Sequence, residues 1–409
     1  MTSKKGTAAA GAKSEELDGS DVADHRNAKD AAADEREMKR ARKEGLVFPF
    51  TEKPDGTTTI EVADGVYWAR IPLPWSLDHI NVYLFDEGDG WSVVDTGSNG
   101  NRGREAWEAL DKALLGGKPI HRVIATHMHP DHLGLAGWLV ERYGAEFTTT
   151  QTEYLLASSL WLGGTATMPE HEVDFLFKHG VDRSFEPMIR AARFDNYRRG
   201  VHELPHTYTR IEDGSLISLG GRRWRVVVGR GHSPEHACLS CLDEPLFIAG
   251  DQILPSITSN VSVHAREPMA NPLAHWLTSL SRMKAVPGDP MVLPSHGRVF
   301  KGFQARLDAL IGGHIEKLAS LHAWCEEART PVETFPALFR RKVSGMDFYL
   351  ALGESIAHLH LLESIGLMNR TMTDGVYSFQ AKGTLNQEKL LTDVSALPGV
   401  EMRAIADVY

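Results

Sequence analysis

The sequence predicts an α/β fold built from layered sheets. Three observations carry that expectation. Short apolar runs closed by Gly, Asp or Pro occur early and return late, helical spacing separates them, and the chain ends in a block of helices. Residues 1–45 hold 10 basic and 10 acidic residues but only Leu17 and Val22 from the Leu/Ile/Val/Phe set, so they read as a disordered or extended arm. Order is expected from Val47. Val62 to Ile71 reads as one strand, Asn81 to Phe85 as a second, and the run Gly90 to Gly97 as a third. Trp107, Leu110 and Leu114 repeat at helical spacing within 103–115, and Arg122 to Thr126 reads as a buried strand.

Residues 150–210 break this alternation. They are rich in aromatics and Met, with helical stretches at Glu153 to Leu162 and Glu170 to Lys178. Strand character returns at 216–219, 224–228, 237–241, 246–249 and 290–294, followed by a helix over 303–329, two more within 331–370 and a hairpin near Gly375. The expected division is an arm over 1–45, a catalytic unit over 46–300 with a helical insert at 150–210, and a C-terminal helical unit over 301–409.

Composition narrows the function. The chain has 409 residues, a net charge of −10 and three Cys. So few cysteines point to a reducing compartment, and the cytoplasm is the expected location. No run reaches the roughly 18–20 apolar residues of a membrane span. The negative charge weighs against sequence-independent nucleic-acid binding, which needs Lys and Arg at the phosphates. Gly-x-Ser-x-Gly is absent, which argues against a serine hydrolase of the α/β type.

The chemistry concentrates in Thr126-His127-Met128-His129-Pro130-Asp131-His132, directly after a predicted strand. Imidazole nitrogen and carboxylate oxygen are first-choice ligands for Zn²⁺ and related divalent ions. His232, Asp251 and His296 each follow another predicted strand at a Gly- or Pro-marked turn. These five His and two Asp suffice for two metal ions, with an Asp bridging and water in the open positions. Cys238 and Cys241 fall on a strand at positions that face opposite sides, which favours a structural role. His236 reads equally as a donor behind the ligands or as an ordinary strand residue.

These motifs resemble the metallo-β-lactamase superfamily, a four-layer αββα hydrolase fold. Asp95 in Val94-Asp95-Thr96-Gly97 matches the family's first station, a structural Asp near the metals. His127, His129, Asp131 and His132 match the second; His232, Asp251 and His296 match the rest. The resemblance implies one metal on His127, His129 and His232, another on Asp131, His132 and His296, and Asp251 between them. It implies zinc first, with iron or manganese as alternatives. A hydroxide shared by the two metals would attack the substrate carbonyl, with Asp131 orienting it. Asp131, where other branches use Cys, resembles the glyoxalase II-like branch.

The substrate expected from this reading is a small acyl compound such as a thioester or lactone; the alternative is a phosphodiesterase or ribonuclease of the same fold. The aromatic insert suits an apolar acyl group or serves packing alone. The polar segment Asp251 to Asn260 is expected to shape the substrate site. Residues 330–379 resemble a winged-helix unit, but the helix from Glu354 carries no Lys or Arg before Arg370, so a lid or a homodimer contact is favoured over nucleic acid.

Overall fold

The computed structural model describes residue 35, residues 38–75 and residues 77–405. Strands that are apolar on both faces need cover on both, and here two sheets give it to each other. The first contains β1 (Ile60–Ala63), β2 (Val66–Pro72), β3 (His79–Asp86), β4 (Trp91–Val94), β5 (Ile120–Ile124), β6 (Glu146–Thr150) and β7 (Thr209–Ile211), in that spatial order. It is antiparallel up to β4 and parallel from β4 to β7. The second sheet runs β12-β11-β10-β9-β8, from β8 (Leu216–Leu219), β9 (Arg222–Gly229), β10 (His236–Cys241), β11 (Leu246–Gly250) and β12 (Met291–Pro294).

Three apolar clusters define four layers. Trp68, Phe85, Trp224 and Leu239 pack between the sheets. Trp107, Leu110, Leu135 and Leu139 pack helices on the outer face of the first sheet. Phe247 and Cys238 of the second sheet meet Trp276, Leu307 and Ile356, which lie in helices Pro272–Met283, Phe303–Trp324 and Met346–Ser364. The expected αββα arrangement is therefore present. Cys238 faces this outer cluster while Cys241 faces the inter-sheet core, as period-2 geometry requires.

Two readings need correction. The stretch from Val62 to Ile71 is not one strand but a hairpin, with Ala63 paired to Val66 across Asp64-Gly65 and Gly65 at φ 66°. Asp-Gly is the two-residue turn that gives up least strain at positive φ, so the chain reverses there. Order also begins before Val47. Residues 1–34, 36 and 37 of the expected arm lie outside the described residues, but Ala41 is buried, and Glu44 pairs with the buried Arg306 at 2.7 Å. The charged composition concealed an apolar anchor.

The insert is helical: Gln151–Leu162, Glu170–Lys178, Glu186–Ala191 and Asn196–Gly200. At the other end, Met346–Ser364 runs into the hairpin of β13 (Met368–Thr373) and β14 (Val376–Ala381). This block shares its apolar cluster with the second sheet.

Within that cluster His314 and His358 lie 3.2 Å apart, nitrogen to nitrogen. Burial holds His358 down at about 4, against 6.5 for an unstrained imidazole. The unfolded chain therefore binds more protons between those values. The stability that the neutral ring confers is complete above pH ~6.5 and is lost as pH falls toward 4, by roughly 2–3 kcal/mol. Urea midpoints should fall over that interval, and by less in His358→Gln; equal losses in both chains would contradict this.

Candidate metal centre

Each candidate residue lies just past a strand end, and the backbone there is shaped to deliver it. Asp95 follows β4 with φ 62°, unusual for a residue with a side chain. Its carboxylate accepts hydrogen bonds from Thr126 N (2.8 Å), Thr126 Oγ1 (3.0 Å) and His132 Nδ1 (2.8 Å), which offset that strain. The loop after β5 carries His127 to His132 into the short helix Pro130–Leu133. His232 follows Gly231, where an added Cβ would lie 2.6 Å from Pro272 O. Asp251 follows Gly250, at φ 52°, and His296 follows β12.

The seven predicted ligands converge as two donor groups, His127, His129, His232 and Asp251 in one and Asp131, His132 and His296 in the other. His127 Nε2 lies 2.8 Å from His129 Nδ1 and 3.3 Å from His232 Nε2. Asp131 Oδ2 is 3.3 Å from His296 Nε2 and 3.7 Å from His132 Nε2. Asp251 reaches both groups: Oδ2 is 3.3 Å from His232 Nε2 and 3.5 Å from His132 Nε2, and Oδ1 is 3.4 Å from His296 Nε2.

The outer nitrogens fix which atoms face inward. His232 Nδ1 donates to Asn260 O (2.7 Å), His296 Nδ1 to His79 O (2.8 Å) and His132 Nδ1 to Asp95. Each Nε2 lone pair then points at the others and at two carboxylates. His132 Nε2, His296 Nε2 and Asp251 Oδ1 are buried with no hydrogen-bond partner among the described residues. Buried acceptors facing one another are costly unless a cation lies among them. The donor set thus fits divalent metal ions, with outer hydrogen bonds of the kind that orient ligating imidazoles.

The acid–base properties agree. Burial, reinforced by neighbouring imidazoles, pushes His127 far below its ordinary value and, reinforced by His232, brings His129 to about 3; both rings are neutral, the ligating form. Burial would raise Asp131, but His132 and His296 hold it at about 2. Burial would lower His132, yet Asp95, Asp251 and Asp131 drive it well up. The second group is short of positive charge, which a proton or a metal ion supplies.

A family model described as "Metallo-beta-lactamase superfamily" matches residues 75–296, over half of the chain. The chain belongs to the metallo-β-lactamase superfamily. A second model, "Metallo-beta-lactamase-like, C-terminal domain", matches residues 318–382. Among solved structures, a β-lactamase domain protein from Burkholderia ambifaria is similar at 37% identity and TM-score 0.76, covering 83% of this chain and 98% of its own. Among curated proteins, the probable metallo-hydrolase YqjP of Bacillus subtilis is 25% identical over 313 residues, 72% of this chain and 91% of its own. An atrochrysone carboxyl ACP thioesterase of Aspergillus novofumigatus is 23% identical over 60% of this chain, which spans 58% of that relative.

Within this metallo-β-lactamase fold, three supports of the centre were not settled by the sequence. His236 is fully buried, stacks on His127 at 4.7 Å, and its Nε2 accepts from Asp251 N at 3.0 Å. It positions ligands on both sides. Glu153, also fully buried, accepts from Met128 N (2.9 Å) with one oxygen and from Glu235 N (2.7 Å) with the other. Tyr197 donates to Met128 O at 2.6 Å. The insert thereby clamps both backbone groups of the residue between His127 and His129. The available signal was the lone charged residue of its helix, on the buried face one turn before buried Ala157.

The segment Asp251 to Asn260 braces the centre. Ser259 donates its hydroxyl hydrogen to Asp251 O, and Arg306 donates to Leu254 O and Ile257 O at 2.6 and 2.8 Å. A cavity of about 550 Å³ adjoins His129 and His232 and is lined from the insert, from residues 262–275 and by Tyr349 of the C-terminal helix.

Two substitutions test the supports. In Gly250→Ala the new Cβ would lie 2.3 Å from the His236 ring, so bound metal should fall while the circular dichroism spectrum persists. In Glu153→Gln an NH₂ faces a backbone N–H. Metal affinity should drop by about 10–100-fold, and unchanged competition against a chelator would exclude the role.

Proposed function

We propose that the protein hydrolyses acyl thioesters or lactones with two divalent cations, zinc foremost and iron or manganese suiting the same donors. The observation that carries this is the Asp251 carboxylate, set between two complete donor groups. Bound there, a pair of cations supplies a water of lowered pKa and polarises the carbonyl oxygen. His127, His129 and His232 hold one position, Asp131, His132 and His296 the other, and Asp251 joins them. Asp131, ionised down to about pH 2, is too weak a base to keep a proton. It accepts a hydrogen bond from the attacking water and fixes its direction. The water's oxygen forms the new bond to the acyl carbon, the C–S or C–O bond breaks, and the proton ends on the departing thiolate or alkoxide.

Support for the acyl class comes from the cavity beside His129 and His232, whose walls include Leu156, Leu160 and Phe194, and from relatives named as ACP thioesterases. The carboxylate at Asp131, in place of a thiol, supports kinship with glyoxalase-like branches. The helix–hairpin block after residue 330 reads as a winged-helix-like cover whose Tyr349 reaches the cavity.

Metal analysis should find about two equivalents, and the same preparation should cleave acyl-CoA thioesters or lactones in preference to bis-p-nitrophenyl phosphate. His129→Ala should lower turnover by more than about 100-fold, since even outer contacts of a ligand are worth about 10–100-fold. Cleavage of the phosphodiester alone would move the reading to a nuclease. Full turnover in His129→Ala would end the metal assignment.

A further inference from the structure

The cavity's walls carry two guanidinium groups without an ion-pair partner among the described residues. Arg230 is half-buried and lies two residues before His232; Arg266 is exposed. Neither guanidinium has a carboxylate within ion-pair distance among the described residues. Arg266 spends one N–H on Ser159 Oγ at 3.2 Å, which leaves its charge intact. Three carboxylates also face the cavity and keep their charge, but none lies within ion-pair distance of either guanidinium. Glu172 accepts from Tyr349 Oη at 2.7 Å, and Glu235 accepts from Thr152 N at 3.1 Å. The third, Glu267, is on the exposed rim. Beside Arg230 stands His275, whose Nδ1 is buried without a hydrogen-bond partner among the described residues.

An apolar substrate would leave half-buried Arg230 and His275 Nδ1 unanswered where water is displaced, at a cost for each unpaired polar atom. We propose that the cavity receives an acyl substrate bearing an anionic group remote from the scissile carbonyl, and that Arg230 and Arg266 pair with that group. This rests on the acyl-hydrolase reading above. Planar guanidinium suits carboxylate and phosphate alike. The anion is therefore either a carboxylate at the far end of the acyl chain or the phosphate of a pantetheine carrier arm.

The test uses the metal-loaded full chain and three thioesters: hexanoyl-N-acetylcysteamine (neutral), adipoyl-N-acetylcysteamine (terminal carboxylate) and hexanoyl-4′-phosphopantetheine (phosphate). One charged substrate should exceed the neutral one in kcat/KM by about tenfold or more, expressed in KM, as a charged hydrogen bond allows. Which one does so identifies the source of the anion. The ratio should fall toward one in Arg230→Gln or Arg266→Gln and return in part in Arg230→Lys. Equal rates for all three in the native chain, or a ratio that survives both Gln variants, would overturn the proposal. The corresponding non-hydrolysable amides, titrated by calorimetry, separate the two readings. Tighter binding of a charged amide that depends on Arg230 or Arg266, with no thioester cleaved, would keep this inference and reject the hydrolase. Equal binding of charged and neutral amides would reject this inference whichever ester is cleaved.

Discussion

Seven side chains turn acceptor atoms toward one another at the edge of two sheets, and the rest of the fold is arranged around the cost of that meeting. Imidazole lone pairs and carboxylates repel when water is excluded, and their attraction to a shared cation must exceed the desolvation each has suffered. Holding the donors from behind keeps them in place, and four of the seven are so held: His132 by Asp95, His232 by Asn260 O, His296 by His79 O, and Asp251 by His236.

The two sheets meet at this edge through polar contacts as well as packing. Ala237 N donates to Thr126 O at 2.8 Å, and Asn81 N donates to Ser295 O at 2.6 Å. Tyr83 Oη and Asn81 Nδ2 of the first sheet both donate to Pro294 O of the second, each at 2.8 Å. The ligands from opposite sheets are thereby fixed relative to one another. The positive φ at Asp95 and Gly250 belongs to the same requirement, because a strand must turn sharply to aim its next side chain into the gap.

Legibility in the sequence followed how local each signal was. The run from His127 to His132 is contiguous, and His232, Asp251 and His296 each sit at a strand end marked by Gly or Pro, so all seven could be named. The layered α/β class followed from apolar runs of strand length. What escaped notice depends on distant partners. Glu153 looks like any helix acid until Met128 N and Glu235 N are brought to it from 25 and 82 residues away. Tyr197 was one aromatic among many in the insert. His236 could not be resolved because a ring on a strand stacks or ligates according to what lies across the sheet. The hairpin at Asp64-Gly65 was local and was still read through, because the apolar residues on its two sides look like one strand when the turn is ignored.

The insert carries two tasks on one set of helices. Leu156 and Leu160 face the cavity, while Glu153, on the same helix, fixes Met128 between two ligands. Tyr197 does both, lining the cavity and donating to Met128 O. A substrate that presses on these walls therefore bears on the loop that aims His127 and His129. In a close-packed interior such displacement is transmitted with little loss. The shape of the cavity and the geometry of the two donor groups are mechanically coupled, and a change to the cavity wall acts on both.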